Sequence, residues 1–213
     1  MRKTIRHRLL FWPIIGIVMI GIVLMVSVID RIYPIDTGEN GFLEIAGLIL
    51  LIVMMFAWFA AVVTAFRSDL SDRMGFVAVF LMFSAISFGA AGRETTWGKI
   101  YGLDEATVDY LTLTSAIIFL IFFIISITLI CVRLRGRRAF FWNLLTSHPM
   151  GWIICGLVLF VIGTFFEENI FGIEPHQLFE EALELLAYLS VTIAAFAFRS
   201  AIKVYASSSE GDP

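Results

Sequence analysis

His176, Glu180 and Glu184 stand four residues apart, so a helix through them places all three on one face. Glu181 falls on the neighbouring strip, and Glu167 and Glu168 come shortly before, across a connection containing Gly172 and Pro175. One imidazole among several carboxylates suits a hard or borderline divalent cation. Carboxylates held close together also raise one another's pKa, which suits proton relay or acid–base work. Earlier in the chain, Arg93-Glu94 ends another apolar stretch and offers one more carboxylate beside a fixed cation. The expected metal-ligand set is therefore Glu94, Glu168, His176, Glu180 and Glu184, and a divalent cation is the cofactor it would take. Arg93, Trp97, Glu44, Glu167 and Glu181 are the neighbouring candidates. No residue is assigned as catalytic.

Each of these has a plainer explanation to set beside it. A carboxylate in the first turn of a helix is favoured by the helix dipole, typically by about 0.3–1 kcal/mol. Glu180 and Glu181 fit that account. Glu184 fits it less well, because it lies deeper, within Ala182-Leu183-Glu184-Leu185-Leu186-Ala187. A carboxylate inside a membrane span faces the bundle interior or a wet cavity, with a partner. Glu44 raises the same question near the start of its own apolar stretch. Trp97 suits an anchor at the membrane interface.

The elements that carry these residues follow from composition. Hydrophobic residues make up 60% of 213, Phe alone appears 21 times, and the mean hydropathy is +0.92. Ordinary water-soluble domains hold roughly 45–50% apolar residues, and a chain this apolar needs lipid to cover it. Apolar segments run over 9–29, 42–66, 74–92, 111–132, 150–166 and 178–205. Each is near the length of about 20 residues that crosses the hydrocarbon core. Helices satisfy every backbone group within the segment, whereas barrel strands would alternate in polarity, and these do not. The first segment exceeds a signal-peptide core and lacks a small-x-small cleavage site, so it is expected to remain as a helix. Cys131 and Cys155 sit inside apolar segments and are expected as buried thiols rather than a disulfide framework.

Orientation follows from the basic residues. Arg2, Lys3, Arg6, Arg8, Arg67, Arg73, Arg133, Arg135, Arg137, Arg138, Arg199 and Lys203 fall on one side, twelve of fifteen. Only Arg31, Arg93 and Lys99 fall on the other, and the positive-inside rule makes the first side cytoplasmic. Acidic residues divide the opposite way, with Asp69, Asp72, Glu210 and Asp212 inside and the other fourteen of eighteen outside. The expected fold is an all-α membrane protein of six transmembrane helices, arranged as three outward-joined hairpins with both ends in the cytoplasm. Residues 1–205 form one domain, and the small, polar stretch 206–213 forms a disordered cytoplasmic tail. Residues 139–145 form a short amphipathic turn along the inner surface. The three outer joints share acid, Gly or Pro, then acid again, a pattern that would bring three acidic corners to one vestibule.

The run Gly92-Arg93-Glu94-Thr95-Thr96-Trp97-Gly98 resembles the Gly-Glu-Glu-x-Ser-Trp-Gly string of an uncharacterised group of bacterial multi-pass membrane proteins. Glu94, Thr96, Trp97 and Gly98 match that pattern, while Arg93 replaces its first acid. The resemblance implies membrane location and no particular activity. Glu167-Glu168 followed by an aromatic is similar to the Glu-Glu string of CAAX-type intramembrane proteases, but their histidines inside later helices are missing here.

Two functions stay open. One is an integral inner-membrane subunit of a larger assembly, its acidic face docking other membrane subunits or a second copy. The other is a cation- or proton-linked transporter or metal-dependent membrane enzyme with an outward-facing carboxylate/His site. No basic run interleaved with aromatics points to nucleic acid, and the expected location is the bacterial inner membrane. Reporter fusions within 133–149 should register a cytoplasmic position; an external signal there would overturn the topology.

Overall fold

In the computed structural model, residues 42–70, 72–94, 102–133, 138–168, 170 and 176–209 are described. Six helices account for nearly all of them: α1 (Phe42–Arg67), α2 (Arg73–Glu94), α3 (Glu105–Arg133), α4 (Arg138–Leu145), α5 (His148–Glu167) and α6 (His176–Ser209). No strand occurs among the described residues. All but α4 are long and apolar enough to cross a membrane, over Ile45–Arg67, Arg73–Arg93, Glu105–Val132, His148–Glu167 and Gln177–Lys203. These five helices make the chain a multi-pass membrane protein. The first apolar segment and the first outer joint lie outside the described residues. The centres of the other two outer joints do too, and with them the expected convergence of the three joints on one vestibule.

Helix boundaries follow local chemistry. The sequence places the fourth apolar segment from residue 111, but α3 starts six residues earlier, at Glu105. Asp104 is the reason. Its carboxylate accepts hydrogen bonds from the Thr107 backbone N–H at 3.0 Å and the Thr107 hydroxyl at 2.6 Å, an N-cap that starts the helix in water. Gly102 precedes it with φ of 70°, a left-handed conformation that glycine adopts without strain. Ser147 starts α5 in the same way, accepting from the Met150 N–H at 3.4 Å. At the far end α6 runs on to Ser209, past the start of the polar stretch expected as tail.

The described residues fall into two units, 42–47 with 154–187, and 48–153 with 188–209. The core of the larger unit is aromatic. Trp58 of α1 is fully buried, stacked on Phe83 of α2 with ring centroids 4.7 Å apart. Phe80 of α2 lies 5.4 Å from Trp58 and 5.2 Å from Phe198 of α6, which closes a three-helix cluster. Phe76 extends it to α4, meeting Phe140 edge-on at 5.1 Å. That contact holds the short helix 138–145, expected only as an amphipathic turn, by Phe140 and Leu144 on its buried face.

Inside such a bundle hydroxyls must find partners locally. Ser87, Ser126 and Thr192 each donate to the carbonyl four residues earlier, at 2.7, 2.7 and 2.8 Å. Ser84 instead crosses between helices, donating to the Met55 carbonyl of α1 at 3.3 Å. Gly89 lets α2 approach α3 closely, since a Cβ there would lie 3.2 Å from the Phe119 ring.

α3 is the barest helix of this unit. Among the described residues, 11% of its most apolar stretch is buried, against 44% for α2. Cys131, expected buried, lies exposed on α3 for that reason, while Cys155 of α5 is half-buried. An apolar segment signals burial in something, and along α3 that something is not the other described residues.

Trp58→Ala should cost stability in lipid, by about 2–3 kcal/mol. This is less than the 3–5 kcal/mol usual in water-soluble cores, because the unfolded reference also keeps the ring from water. Thermal unfolding in detergent–lipid mixtures measures it; an unchanged midpoint would show that the aromatic cluster does not hold the helices.

Candidate functional site

In the smaller unit, α5 and α6 meet at Gly163. A Cβ built there would sit 3.6 Å from the Leu183 Cβ, 3.7 Å from the Glu180 carbonyl oxygen and 3.8 Å from the Glu184 Cγ. Only a very small residue on α5 lets the backbone of α6 come so near, the small-residue packing that lipid-embedded helices favour. One turn further along, the rings of Phe166 and Phe179 pack at a tilt, 5.3 Å between centroids, and complete the contact.

This packing decides where the carboxylates go. Glu184 lies half-buried with its stem against α5, and Glu180 and Glu181 are half-buried near it. Each of the three is engaged in a hydrogen-bonding or electrostatic interaction. Glu167 and Glu168, at the end of α5, are exposed. The structure thus gathers Glu180, Glu181 and Glu184 beside one helix contact and leaves Glu167 and Glu168 at the surface. The side chains of Glu44, Glu94 and His176, and the whole of Trp97, lie outside the described residues. Among the described residues, no three His, Cys, Asp or Glu side chains are placed to hold a metal ion.

In the larger unit a second acidic group starts α3. Asp104, Glu105 and Asp109 are all exposed, and Arg93 at the end of α2 is exposed as well. The Thr107 hydroxyl, and then its backbone N–H, hold the Asp104 carboxyl below its ordinary pKa by bonding the charged form. A lowered folded pKa contributes stability above the ordinary carboxylate value. That contribution fades as pH falls through the lowered value.

The opposite ends of α1 and α6 carry a feature that the sequence reading used only to orient the chain. Arg67, Arg199 and Lys203 line one cleft there. Arg199 Nε, like Trp58 Nε1 and Ser190 Oγ, is buried with no hydrogen-bond partner among the described residues. The spacing of Arg199 and Lys203, one turn apart on an apolar helix, is the signal that could have marked it.

Compared with protein-family models, curated proteins and solved structures, the chain matches none.

Gly163→Ala should be neutral or stabilising by roughly 0.5–1 kcal/mol, since its methyl finds ordinary contact distances and alanine suits a helix better. Gly163→Leu should destabilise by roughly 1–3 kcal/mol, because it must push Glu184 and the α6 backbone aside. Equal midpoints for the two variants would contradict the close approach of α5 and α6.

Proposed function

We propose that this chain is an integral subunit of a larger assembly in the bacterial inner membrane. Its six spans form three outward-joined hairpins with both ends in the cytoplasm, and its acidic outer face docks another membrane subunit or a second copy. The observation that carries this reading is α3, a membrane-length helix almost uncovered by the other described residues, whose first turns expose Glu105 and Asp109. Beside them stands Asp104, its carboxyl held below its ordinary pKa by the Thr107 hydroxyl and N–H. The exposed pair Glu167-Glu168 adds to the same acidic character. Exposed charge of one sign steers association and selects partners more than it adds affinity. The twelve-to-three split of basic residues supports the orientation.

One observation favours the second reading, a cation- or proton-linked transporter or metal-dependent membrane enzyme. Glu184 is a half-buried carboxylate within an apolar helix, packed at a glycine contact. A carboxylate so placed marks a functional site by default. His176, Glu168 and Glu94 would complete its ligand set.

The two readings separate on paired variants, measured after mild extraction from the native membrane. Glu105→Lys with Asp109→Lys should shift the chain from a larger assembly to the free form, with about a tenfold loss of association, and Glu184→Gln should leave the assembly intact. A chain that runs alone, or an assembly indifferent to the charge reversal, would refute the docking role. Divalent-cation binding or proton uptake that Glu184→Gln abolishes would establish the second reading instead.

A further inference from the structure

The basic cleft lies between the C-terminal part of α1 and the stretch of α6 around Arg199–Lys203, with a volume of about 630 Å³. Arg67, Arg199 and Lys203 line it, and among the described residues no acidic side chain does. Thr64 and Ser68 line it too, but their hydroxyls donate to the Ala60 and Ala65 carbonyls at 2.8 and 2.7 Å. The donors left for a ligand are the three cations. Arg67 is the last residue of one membrane span and Lys203 the last of another, so the mouth of the cleft sits where hydrocarbon gives way to headgroups. Arg199 is one turn deeper, half-buried, with its Nε sealed off and unbonded among the described residues. An arginine at that depth is costly unless an anion or water meets it.

The walls of the cleft are apolar. Phe56 and Phe59 line it, and the same two rings border a second, almost wholly apolar groove of about 270 Å³ between α1, α2 and α3. A free phosphate would use the cations and leave the groove unused. A molecule with a phosphate head and a hydrocarbon tail would use both. We infer that the Arg67–Arg199–Lys203 cleft binds the headgroup phosphate of an anionic phospholipid, with an acyl chain passing Phe56 and Phe59 into the apolar groove. Arginine suits the head because its planar fork bonds phosphate through two N–H groups at once.

The test uses the full chain in nanodiscs of phosphatidylcholine, with or without phosphatidylglycerol, reading lipid retention by native mass spectrometry and the thermal midpoint. Phosphatidylglycerol should be retained preferentially and raise the midpoint. Arg199→Gln should weaken that preference about tenfold, the size expected for a lost charge-assisted bond. Arg67→Gln and Lys203→Gln, both exposed at the cleft's edge, should each weaken it as well and keep the test decisive if Arg199→Gln does not fold. Arg73→Gln, an exposed cation outside the cleft, should change nothing. Equal retention of the two lipids, or a preference that survives removal of the cleft cations, would overturn the assignment. Inorganic phosphate reproducing the whole midpoint shift in detergent would overturn it too, by showing a site for the free anion.

Discussion

Hydrocarbon supplies no hydrogen bonds, and nearly every feature of this chain answers to that constraint. Backbone groups are closed within helices. Serine and threonine hydroxyls inside the spans turn back onto the carbonyl of the preceding turn, as Ser87, Ser126 and Thr192 do. Lipid is also as apolar as leucine, so burying aliphatic surface does little to draw two spans together. What remains is shape. The stacked Trp58 and Phe83 join α1 to α2, Phe80 reaches Phe198 of α6, and Gly89 and Gly163 sit where a neighbouring helix comes close.

Charge is confined by the same rule to the helix ends, and there it divides. Asp104 caps α3 in water, with Glu105 and Asp109 beside it. At the ends of α1 and α6, Arg67 and Lys203 close their spans, and Arg199 reaches one turn inward. A half-buried arginine and a half-buried glutamate are the two departures from the pattern. Each lies against a feature that accounts for it, Arg199 at the cleft and Glu184 at Gly163.

Much of the helical layout was legible in the sequence because hydropathy follows span length directly. The stretch 42–66 became Phe42–Arg67 and 74–92 became Arg73–Glu94. The early start of α3 escaped hydropathy because its first turn is polar, though Asp104 and Thr107 spelled the cap. Cys131 was misjudged for a deeper reason: lipid-facing and protein-facing positions are equally apolar, so composition cannot say which surrounds a residue. The depth of Glu184 was visible in its apolar neighbours, but its contact with Gly163 depends on how α5 and α6 are rotated, which one sequence does not encode locally. The meeting of Arg67 with Arg199 and Lys203 was hidden likewise, since it joins residues far apart in the chain.

The exposed faces of these helices are apolar surfaces for lipid, and α3 is where that contact is tested most directly. A spin label at Leu120, an exposed position in the middle of α3, can be probed in the purified chain reconstituted alone into bilayers. Strong collision with dissolved oxygen and little with a water-soluble nickel complex is the expected result. Frequent collision with the nickel complex would place that face in water and contradict the membrane-spanning assignment.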